Sequence, residues 1–416
     1  MNAAKRMLDW AWQLYDYIPP QARGHGRLLL SCLKCLAPGI PVTILHGQTR
    51  LGKRSGTVVT AGSEPWIDYL PDRFFEGSPQ QECVGKVPLW AVPCALERLS
   101  SSADLVIARV DKLSARLLFN ARYLRVPEWV DLWLTVPDDL NSLQRGNRRR
   151  DVKNDLRRIR QNGLLYDISH ADADLDVFYK DFYVPFVSRR FGKHGYIRNV
   201  HALRQHFRQG GLLWVLRNGQ RIAAGIFHRQ GTVLHSLGIG TIDGSYDVAN
   251  LGALIATYYY SIKHAHAVGC KEINFGGTRP VLSDGRLRYK RKWGMRLVEQ
   301  TESYYEFLVY WERLDESVFS FLSHTPLVFR DRDKLSAVTA IQSEGPATQD
   351  QAEKAHRFLW TPGLHRLYLL SASGWQPGTE PPPQTQLIDL TTVEHEDLPV
   401  PFASGSLADI GKGTQA

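Results

Sequence analysis

The chain has 416 residues, of which 43% are hydrophobic and 11% aromatic. These fractions exclude a disordered or fibrous protein, and the length allows two modest domains or one large domain with appendages. The net charge of +9 and the pI of about 9.2 favour anionic partners. Phosphorylated cofactors, RNA and acidic lipid surfaces all fit such a charge, and composition does not choose among them.

The five cysteines are few and odd in number, which is typical of a reduced cytosolic protein rather than of a disulfide framework. Cys32 and Cys35 have redox or metal spacing, but no second pair matches them, so we interpret both as buried or interfacial thiols. The first 20 residues lack the pattern of a secretory leader, and the apolar run 28–45 is too interrupted to span a membrane. We therefore expect a cytoplasmic protein, with a peripheral contact to the inner face of the membrane left open.

The N-terminal region carries only short, weakly periodic elements. A helical pattern covers Leu8–Tyr17, and strand-like runs lie at Val42–Leu45 and Thr57–Thr60. Short apolar runs separated by turns between 103 and 136 predict further strands.

Three regions follow from these patterns. We expect an N-terminal region at 1–140, a well-structured domain at 141–335 and a C-terminal extension at 336–416. The extension has a helical pattern near 351–360. From about Ser373 onward it is rich in Ser, Gly, Pro, Gln and Thr, which predicts disorder.

The segment 141–162 predicts a basic amphipathic helix that ends at Gly163. Its apolar stripe consists of Leu143, Val152, Leu156 and Ile159. Only Asp151 and Asp155 oppose the eight cations Arg145, Arg148, Arg149, Arg150, Lys153, Arg157, Arg158 and Arg160. Three uses of this face stay open: a solvated surface, a phosphate-binding surface, and an RNA-binding surface that lacks interleaved aromatics for base stacking.

The next part of the chain predicts half of a mixed α/β sheet. An aromatic-rich helix at 174–191 precedes a strand, and Asn218-Gly219 marks a hairpin turn. The remaining elements are a pair of strands at 221–228 and 232–238, a helix of about five turns from Val248, N-capped by Asp247 and ended by Gly269, and a strand at 272–275.

A loop with several glycines precedes that helix. Gly238, Gly240, Gly244 and Gly252 would let the backbone approach a ligand closely. The free N–H groups of the helix N-terminus would then hold an anion. The glycine spacing matches neither the dinucleotide-binding fingerprint nor the P-loop, so an ordinary loop stays as the alternative.

Several motifs occur in an order that resembles a known family. They are N-R-R-R-D-V-K-N-D-L-R-R-I-R-Q-N-G, the Asn218-Gly219 hairpin, A-V-G-C, I-N-F-G-G and Y-K-R-K-W-G. Residues 140–297 resemble the acyltransferase domain of Fem-type peptidoglycan aminoacyltransferases and of related GNAT-fold proteins in polysaccharide and exosortase systems. Tyr289 stands where the family commonly has phenylalanine, and Asn274 where it commonly has aspartate. The resemblance implies a GNAT fold with a mixed central sheet flanked by helices, and an N-terminal half that is a second, degenerate copy.

The resemblance also implies a chemistry and a set of residues. An acyl group would pass directly to an amine or hydroxyl, which requires an oxyanion donor and a proton acceptor. The oxyanion donor would be a backbone N–H within 236–240. His228, His235, Asp243 and Glu272 are candidate bases. The selected residues are Lys290, His235 and Glu272 for catalysis; Gly238, Gly240, Asn250 and Gly252 for the co-substrate; and Asn274, Arg279, Tyr289, Trp293 and Arg148 for the acceptor.

Three functions stay open at this point. The first is transfer from an acyl-CoA or acyl-carrier thioester, in cell-envelope or polysaccharide biosynthesis, to a small-molecule, lipid-linked or saccharide-linked acceptor. The second is transfer from an aminoacyl-tRNA, and the third is a binding protein that has lost catalysis. Acyl-CoA would act as a co-substrate and not as a permanently bound cofactor, and the histidine spacings predict no metal.

Overall fold

The computed structural model describes residues 39–50, 54–63, 66–144, 149–192, 195–300 and 303–392. The predicted helix Leu8–Tyr17, the pair Cys32 and Cys35, and Arg148 lie outside these ranges. No helix within them is both long enough and apolar enough to cross a membrane.

The described residues form seventeen strands, numbered here in chain order. The first twelve are β1 Ile40–Gln48, β2 Ser55–Ala61, β3 Gln80–Val87, β4 Leu105–Asp111, β5 Leu124–Pro127, β6 Val130–Thr135, β7 Leu165–Ser169, β8 Gly210–Arg217, β9 Gln220–Gln230, β10 Val233–Thr241, β11 Glu272–Thr278 and β12 Arg296–Glu299. The others are β13 Tyr305–Tyr310, β14 Leu327–Asp331, β15 Lys334–Ile341, β16 Leu367–Ser371 and β17 Thr385–Asp389.

Twelve α-helices accompany these strands in the described ranges. They are α1 Pro71–Phe74, α2 Val92–Ser100, α3 Lys112–Leu118, α4 Arg149–Gln161, α5 Asp172–Val177, α6 Val184–Phe191, α7 Val200–Phe207, α8 Tyr246–Asn250, α9 Ala253–Ala267, α10 Gly285–Lys292, α11 Glu316–His324 and α12 Gln349–Leu359. A π-helical segment, Phe178–Tyr183, joins α5 to α6.

The chain divides into two compact units. Unit 2 comprises 130–278 and 285–298, and unit 1 comprises 1–129, 279–284 and 299–416. These bounds differ from the predicted regions 1–140, 141–335 and 336–416, because distant segments of the chain supply strands to one sheet. Local sequence patterns do not carry that pairing information.

The principal sheets of the two units share one arrangement of parallel and antiparallel neighbours, although the chain visits the strands in different orders. In unit 1 it runs β3-β1-β2-β4-β13-β5, and in unit 2 it runs β8-β9-β10-β11-β6-β12, with β7 added beside β8. Each sheet has one parallel pair at the same place, β2 with β4 and β10 with β11, inside otherwise antiparallel neighbours. This repetition fits the predicted second GNAT-like half. The mixed α/β architecture with flanking helices is confirmed as well.

Unit 1 also contains a four-stranded sheet, β14-β15-β16-β17, whose last three strands run parallel. Its strands β16 and β17 bury Leu369, Leu370 and Ile388. The segment 373–392, for which composition predicted disorder, therefore contains a paired strand. Thr385–Asp389 orders because its ladder to β16 supplies hydrogen bonds that composition does not reveal. Residues 393–416 lie outside the described ranges.

Unit 2 confirms several predicted elements and moves one boundary. In α4 the stripe Val152, Leu156 and Ile159 is buried, and Gly163 follows with a positive φ of 57°. The helix predicted from Val248 is instead two helices, α8 and α9, separated by Gly252 at φ 95°. Ser245, not Asp247, caps α8, because its hydroxyl accepts the Val248 N–H. The break places the start of α9 directly after the glycine.

Candidate functional site

The central parallel strands of unit 2 pair over only three residues. Val233–His235 of β10 match Glu272–Asn274 of β11. Beyond this point β10 has an irregular register with β9 between Ser236 and Gly238, and β11 loses register with β6 between Asn274 and Gly277. The two strands therefore stop pairing halfway along the sheet. We call the region bounded by 236–240 and 275–278 the strand gap.

Lys290 lies at the β11 side of the strand gap. Its side chain comes from α10 and is only 4% exposed. The ammonium donates to the Phe275 carbonyl at 2.8 Å and to the Gly276 carbonyl at 3.0 Å. Lys290 is therefore a buried cation and not part of a solvated basic surface.

Asn274 fixes the same irregular segment of β11 from within. Its Oδ1 accepts the Gly276 N–H at 2.7 Å, and its Nδ2 donates to Oδ2 of Asp131 at 3.0 Å. Gly276 has φ 73°, a region that favours glycine. The amide of Asn274 therefore links the irregular segment of β11 to β6. These two hydrogen bonds need both a donor and an acceptor on one side chain.

Three histidines form a column across the strands beside the gap. His235 is the last residue of β10 that pairs with β11, and its ring stacks on His228 of β9. The ring of His206 from α7 lies 4.6 Å from that of His228. Burial lowers the pKa of His228 to about 3, and the neighbouring His206 and His235 add to this. His228 is therefore neutral at physiological pH.

Glu272 lies away from the gap. It stands at the start of β11, opposite Val233, and pairs with Arg296 of β12. Of the three predicted catalytic residues, His235 and Lys290 thus border the strand gap, whereas Glu272 lies at the closed end of the paired segment.

Gly238 and Gly240 are required by packing. A Cβ at Gly238 would lie 2.9 Å from the Tyr183 ring, and one at Gly240 would lie 2.4 Å from the Phe182 carbonyl oxygen. The sequence indicated that these glycines allow a close approach to their backbone. In the structure the group that approaches is the π-helical segment. This contact brings Phe178–Tyr183 onto the face of β10 and leaves the β10 backbone beside the gap.

The N-terminus of α9 follows the gap-forming strand β10. A Cβ on Gly252 would lie 3.1 Å from Cδ of Arg158, so the Arg158 side chain passes over the helix start. Nδ2 of Asn162 donates to the Leu251 carbonyl at 3.0 Å, which ties the end of α4 to this turn. Asn250 is exposed at the end of α8. A helix N-terminus beside a guanidinium is a favourable place for an anion.

Tyr289 and Trp293 pack inside unit 2. Trp293 is 3% exposed, and the Tyr289 ring lies 5.1 Å from that of Tyr258. The neighbouring cations divide: Arg288 is exposed, Arg291 is buried, and Lys292 pairs with Asp155 of α4. The cations of α10 therefore do not form one solvated face, since only Arg288 of these three is exposed.

Arg279 belongs to unit 1 and is 1% exposed. The centroids of the Trp129, Trp66 and Tyr69 rings lie 4.0, 4.4 and 4.8 Å from its guanidinium carbon. The Glu128 carboxylate lies 3.9 Å away and also binds Arg109. This environment gives Arg279 a packing role within unit 1.

The parallel pair of unit 1 is filled where that of unit 2 is open. Beyond Ala61 and Ala108, the last matched residues of β2 and β4, a Cβ on Gly62 would meet Ile67 and Arg109 at 3.1 Å. Side chains thus occupy the position next to the parallel pair that corresponds to the gap of unit 2. This agrees with a degenerate first half.

Sequence reasoning missed Asp131, Trp133 and His206. Asp131 and Trp133 lie on β6, far from β11 in sequence, although Trp133 is opposite Asn274 in the sheet. No local pattern marks them, since strand pairing brings Asp131 and Trp133 to the site and helix packing brings His206. Among the described residues no group of three or more His, Cys, Asp or Glu side chains is arranged to hold a metal ion.

Residues 146–291 match the family model described as an acetyltransferase (GNAT) domain. The matched segment includes α4, β7 to β11, α9 and most of α10, which together form the strand gap and its surroundings. The chain thus carries a GNAT-type domain, and the prediction of a GNAT-superfamily acyltransferase is confirmed.

Solved structures give weaker likenesses. FemX is 12% identical, with 64% of this chain and 83% of that chain covered and a TM-score of 0.35. L-PGS from Bacillus licheniformis is 12% identical, with 70% and 89% covered and a TM-score of 0.31. A GCN5-related N-acetyltransferase from Kribbella flavida is 14% identical, with 61% and 80% covered and a TM-score of 0.25. No curated protein gives a significant sequence match. Identities this low assign no substrate to this chain.

Proposed function

We propose that the protein transfers an acyl group from an acyl-CoA or acyl-carrier thioester to an amine or hydroxyl acceptor. The observation that carries this proposal is the strand gap, in which two parallel strands pair for three residues and then part beside the start of a long helix. A gap in a sheet leaves backbone N–H groups without a strand partner, and an extended thioester arm can take that partner's place.

The proposed donor site binds the donor phosphates through charge at one end and the acyl thioester through backbone groups at the other. The donor phosphates would lie at the N-terminus of α9, beside Arg158. The acyl thioester would enter the strand gap, where a backbone N–H within 236–240 stabilises the oxyanion. Gly252 and Asn250 flank the phosphate end, and Gly238 and Gly240 shape the strand.

The proposed chemistry is a direct attack on the thioester. The acceptor nitrogen or oxygen bonds to the carbonyl carbon, the carbon–sulfur bond breaks, and the sulfur leaves as a thiolate. The proton lost by the nucleophile passes to His235, which borders the gap and is stacked on a neutral imidazole. Glu272 is a poorer candidate for this role, since its carboxylate is engaged by Arg296.

The acceptor is proposed to be a small, lipid-linked or saccharide-linked molecule of cell-envelope or polysaccharide synthesis, handled in the cytoplasm or at the inner face of the membrane. The Fem-type motif order supports this choice. Asn274, Tyr289 and Trp293 surround the β11 side of the gap, but each is engaged in internal contacts, so they would shape the acceptor side more than bind the acceptor.

A second candidate, transfer from an aminoacyl-tRNA, is favoured by the charge distribution. Unit 2 holds 26 Lys and Arg against 13 Asp and Glu, while the whole chain has 51 against 42. The excess positive charge therefore lies entirely in unit 2. Lys153, Arg157 and Arg160 are exposed along α4. A surface of this kind would bind RNA with an affinity that falls steeply with salt.

The deciding experiment measures donor binding and transfer by the full chain. Acyl-CoA, acyl-carrier and aminoacyl-tRNA donors are tested by thermal shift, and products formed with a mixed amine and hydroxyl acceptor panel are identified by mass spectrometry. We expect stabilisation by an acyl-CoA and an acylated product that His235→Gln reduces about 100-fold. Salt-sensitive tRNA binding without thioester binding would favour the second candidate. If the chain shows neither result, the third function, a binding protein that has lost catalysis, is favoured.

A further inference from the structure

Two residues of β11 fall inside both interruptions of the sheet. Phe275 and Gly276 follow the last residue that pairs with β10, and they lie between Asn274 and Gly277, where register with β6 is lost. Neither residue has a register partner on β10 or β6. A buried carbonyl left without a partner is destabilising, so backbone that leaves its register at a buried site needs other donors.

Lys290 supplies those donors. Its ammonium reaches both carbonyls, at 2.8 and 3.0 Å, and so replaces two strand hydrogen bonds with one side chain. Asn274 accepts the Gly276 N–H in the same segment. The two side chains together satisfy the backbone that opening the sheet would otherwise leave unpaired.

Gly276 limits how far the opening can close. An added Cβ at this position would lie 3.3 Å from the Ser236 carbonyl oxygen, so the two strands still approach each other here. The separation of β10 and β11 therefore depends on which groups donate hydrogen bonds to the β11 carbonyls. Lys290 holds them toward α10.

We propose that Lys290 is a positioning residue that sets the width of the strand gap for the acyl-thioester arm, acting through the Phe275 and Gly276 carbonyls without touching the donor. This inference rests on the proposed acyl transfer. It assigns Lys290 to neither phosphate binding nor proton transfer, the roles that a basic residue in this motif first suggests.

The test compares three variants of the full chain. Lys290→Met removes both donors, Lys290→Arg keeps two N–H donors and the charge, and Lys292→Met is the matched control. Lys292 lies on the same helix and pairs with Asp155, so its loss removes a charge and a contact of α10 without changing the β11 carbonyls. The probes are CoA and acetyl-CoA, and the readouts are their Kd, kcat and KM, and hydrogen exchange of 233–241 and 272–278.

Lys290→Met is expected to raise the Kd for CoA about tenfold, to lower kcat/KM about 100-fold, and to speed exchange in 272–278. Lys290→Arg should recover at least part of both losses, and Lys292→Met should match wild type in binding and in exchange of these segments. Normal CoA affinity with only kcat lost in Lys290→Met would overturn the proposal and show direct electrostatic action. Unchanged exchange in 272–278 would overturn it as well.

Failure of the proposed function gives a different result. If the wild-type chain binds neither CoA nor acetyl-CoA, thioester transfer is wrong, while the exchange measurement still decides whether Lys290 holds the strand. If Lys290→Met does not fold, Lys290→Arg carries the test, since wild-type exchange with lost CoA binding in that variant would contradict a positioning role.

Discussion

The imidazole rings of His228 and His235 stack with their centroids 4.6 Å apart and their planes within 11° of parallel. His228 lies on β9 directly opposite His235 on β10, so strand register alone produces the contact. His228 is buried, and its Nδ1 has no hydrogen-bond partner among the described residues. Burial of the imidazole therefore favours its neutral form in the folded chain.

The burial of His228 predicts that the stability of the folded chain decreases in acid. Burial lowers the pKa of His228 to about 3 in the folded chain, from 6.5 in the unfolded chain. With respect to this group, the folded chain is most stable above pH 6.5. As the pH falls toward 3, the free energy of unfolding decreases by up to about 1.4 kcal/mol per pH unit. In His228→Phe, which keeps a planar ring against His235, denaturant unfolding between pH 7 and 5 should show a shallower decline. An unchanged slope would contradict a neutral, buried His228.

Asn274→Asp should destabilise unit 2 at neutral pH. The substitution keeps the acceptor for the Gly276 N–H but replaces the donor to Asp131 with a second carboxylate. Like charges 3 Å apart cannot both ionise without cost, so one of them must bind a proton. We expect a loss of about 2 kcal/mol at pH 7.5 in urea denaturation, with partial recovery at pH 5. Asn162→Asp offers a comparison at an amide that has no carboxylate partner.

Asp104→Asn should stabilise unit 1 at neutral pH. Burial raises the pKa of Asp104 to about 6; the Thr57 N–H opposes this rise and the Asp315 carboxyl adds to it. A raised folded-state pKa gives stability that is complete below pH 3.8 and is lost as pH rises through about 6. Because Asp104 is only half buried, we expect a gain of about 1 kcal/mol at pH 7.5 and little change at pH 4. Asp333→Asn, which removes an exposed carboxylate of unit 1, should leave the stability unchanged at both pH values.

Gly240→Ala should disrupt the packing of β10 on the π-helical segment. The new methyl would lie 2.4 Å from the Phe182 carbonyl oxygen and 2.9 Å from the Tyr183 nitrogen, and backbone atoms cannot move aside cheaply. We expect a loss of at least about 3 kcal/mol in denaturant unfolding. Gly285→Ala is the control, since nothing lies within 4 Å of its Cβ position at the start of α10. Equal stability of the two variants would mean that the close approach is absent in solution.

The sequence by itself determined the local elements of unit 2 and the class of the domain. The buried stripe of α4, the Asn218-Gly219 turn, the helix at 253–267 and the order of motifs from 147 to 294 all depend on contacts within a few residues of the chain. Periodicity and turn chemistry report such contacts directly. The GNAT-type acyltransferase class was predicted from the order of the motifs, through their resemblance to a known family.

Tertiary structure alone decided what the selected residues do. Lys290 is 14 residues from Gly276, Asn274 is 143 residues from Asp131, and Arg279 is 151 residues from Glu128. Strand pairing and burial create these contacts, and both depend on chain segments that no local pattern connects. Burial then changes the meaning of each side chain, because a lysine or arginine without water must use its charge on the protein itself. For this reason the local elements could be predicted from residue types and the fold class from the resemblance of the motifs, whereas the contacts of Lys290, Asn274 and Arg279 could not.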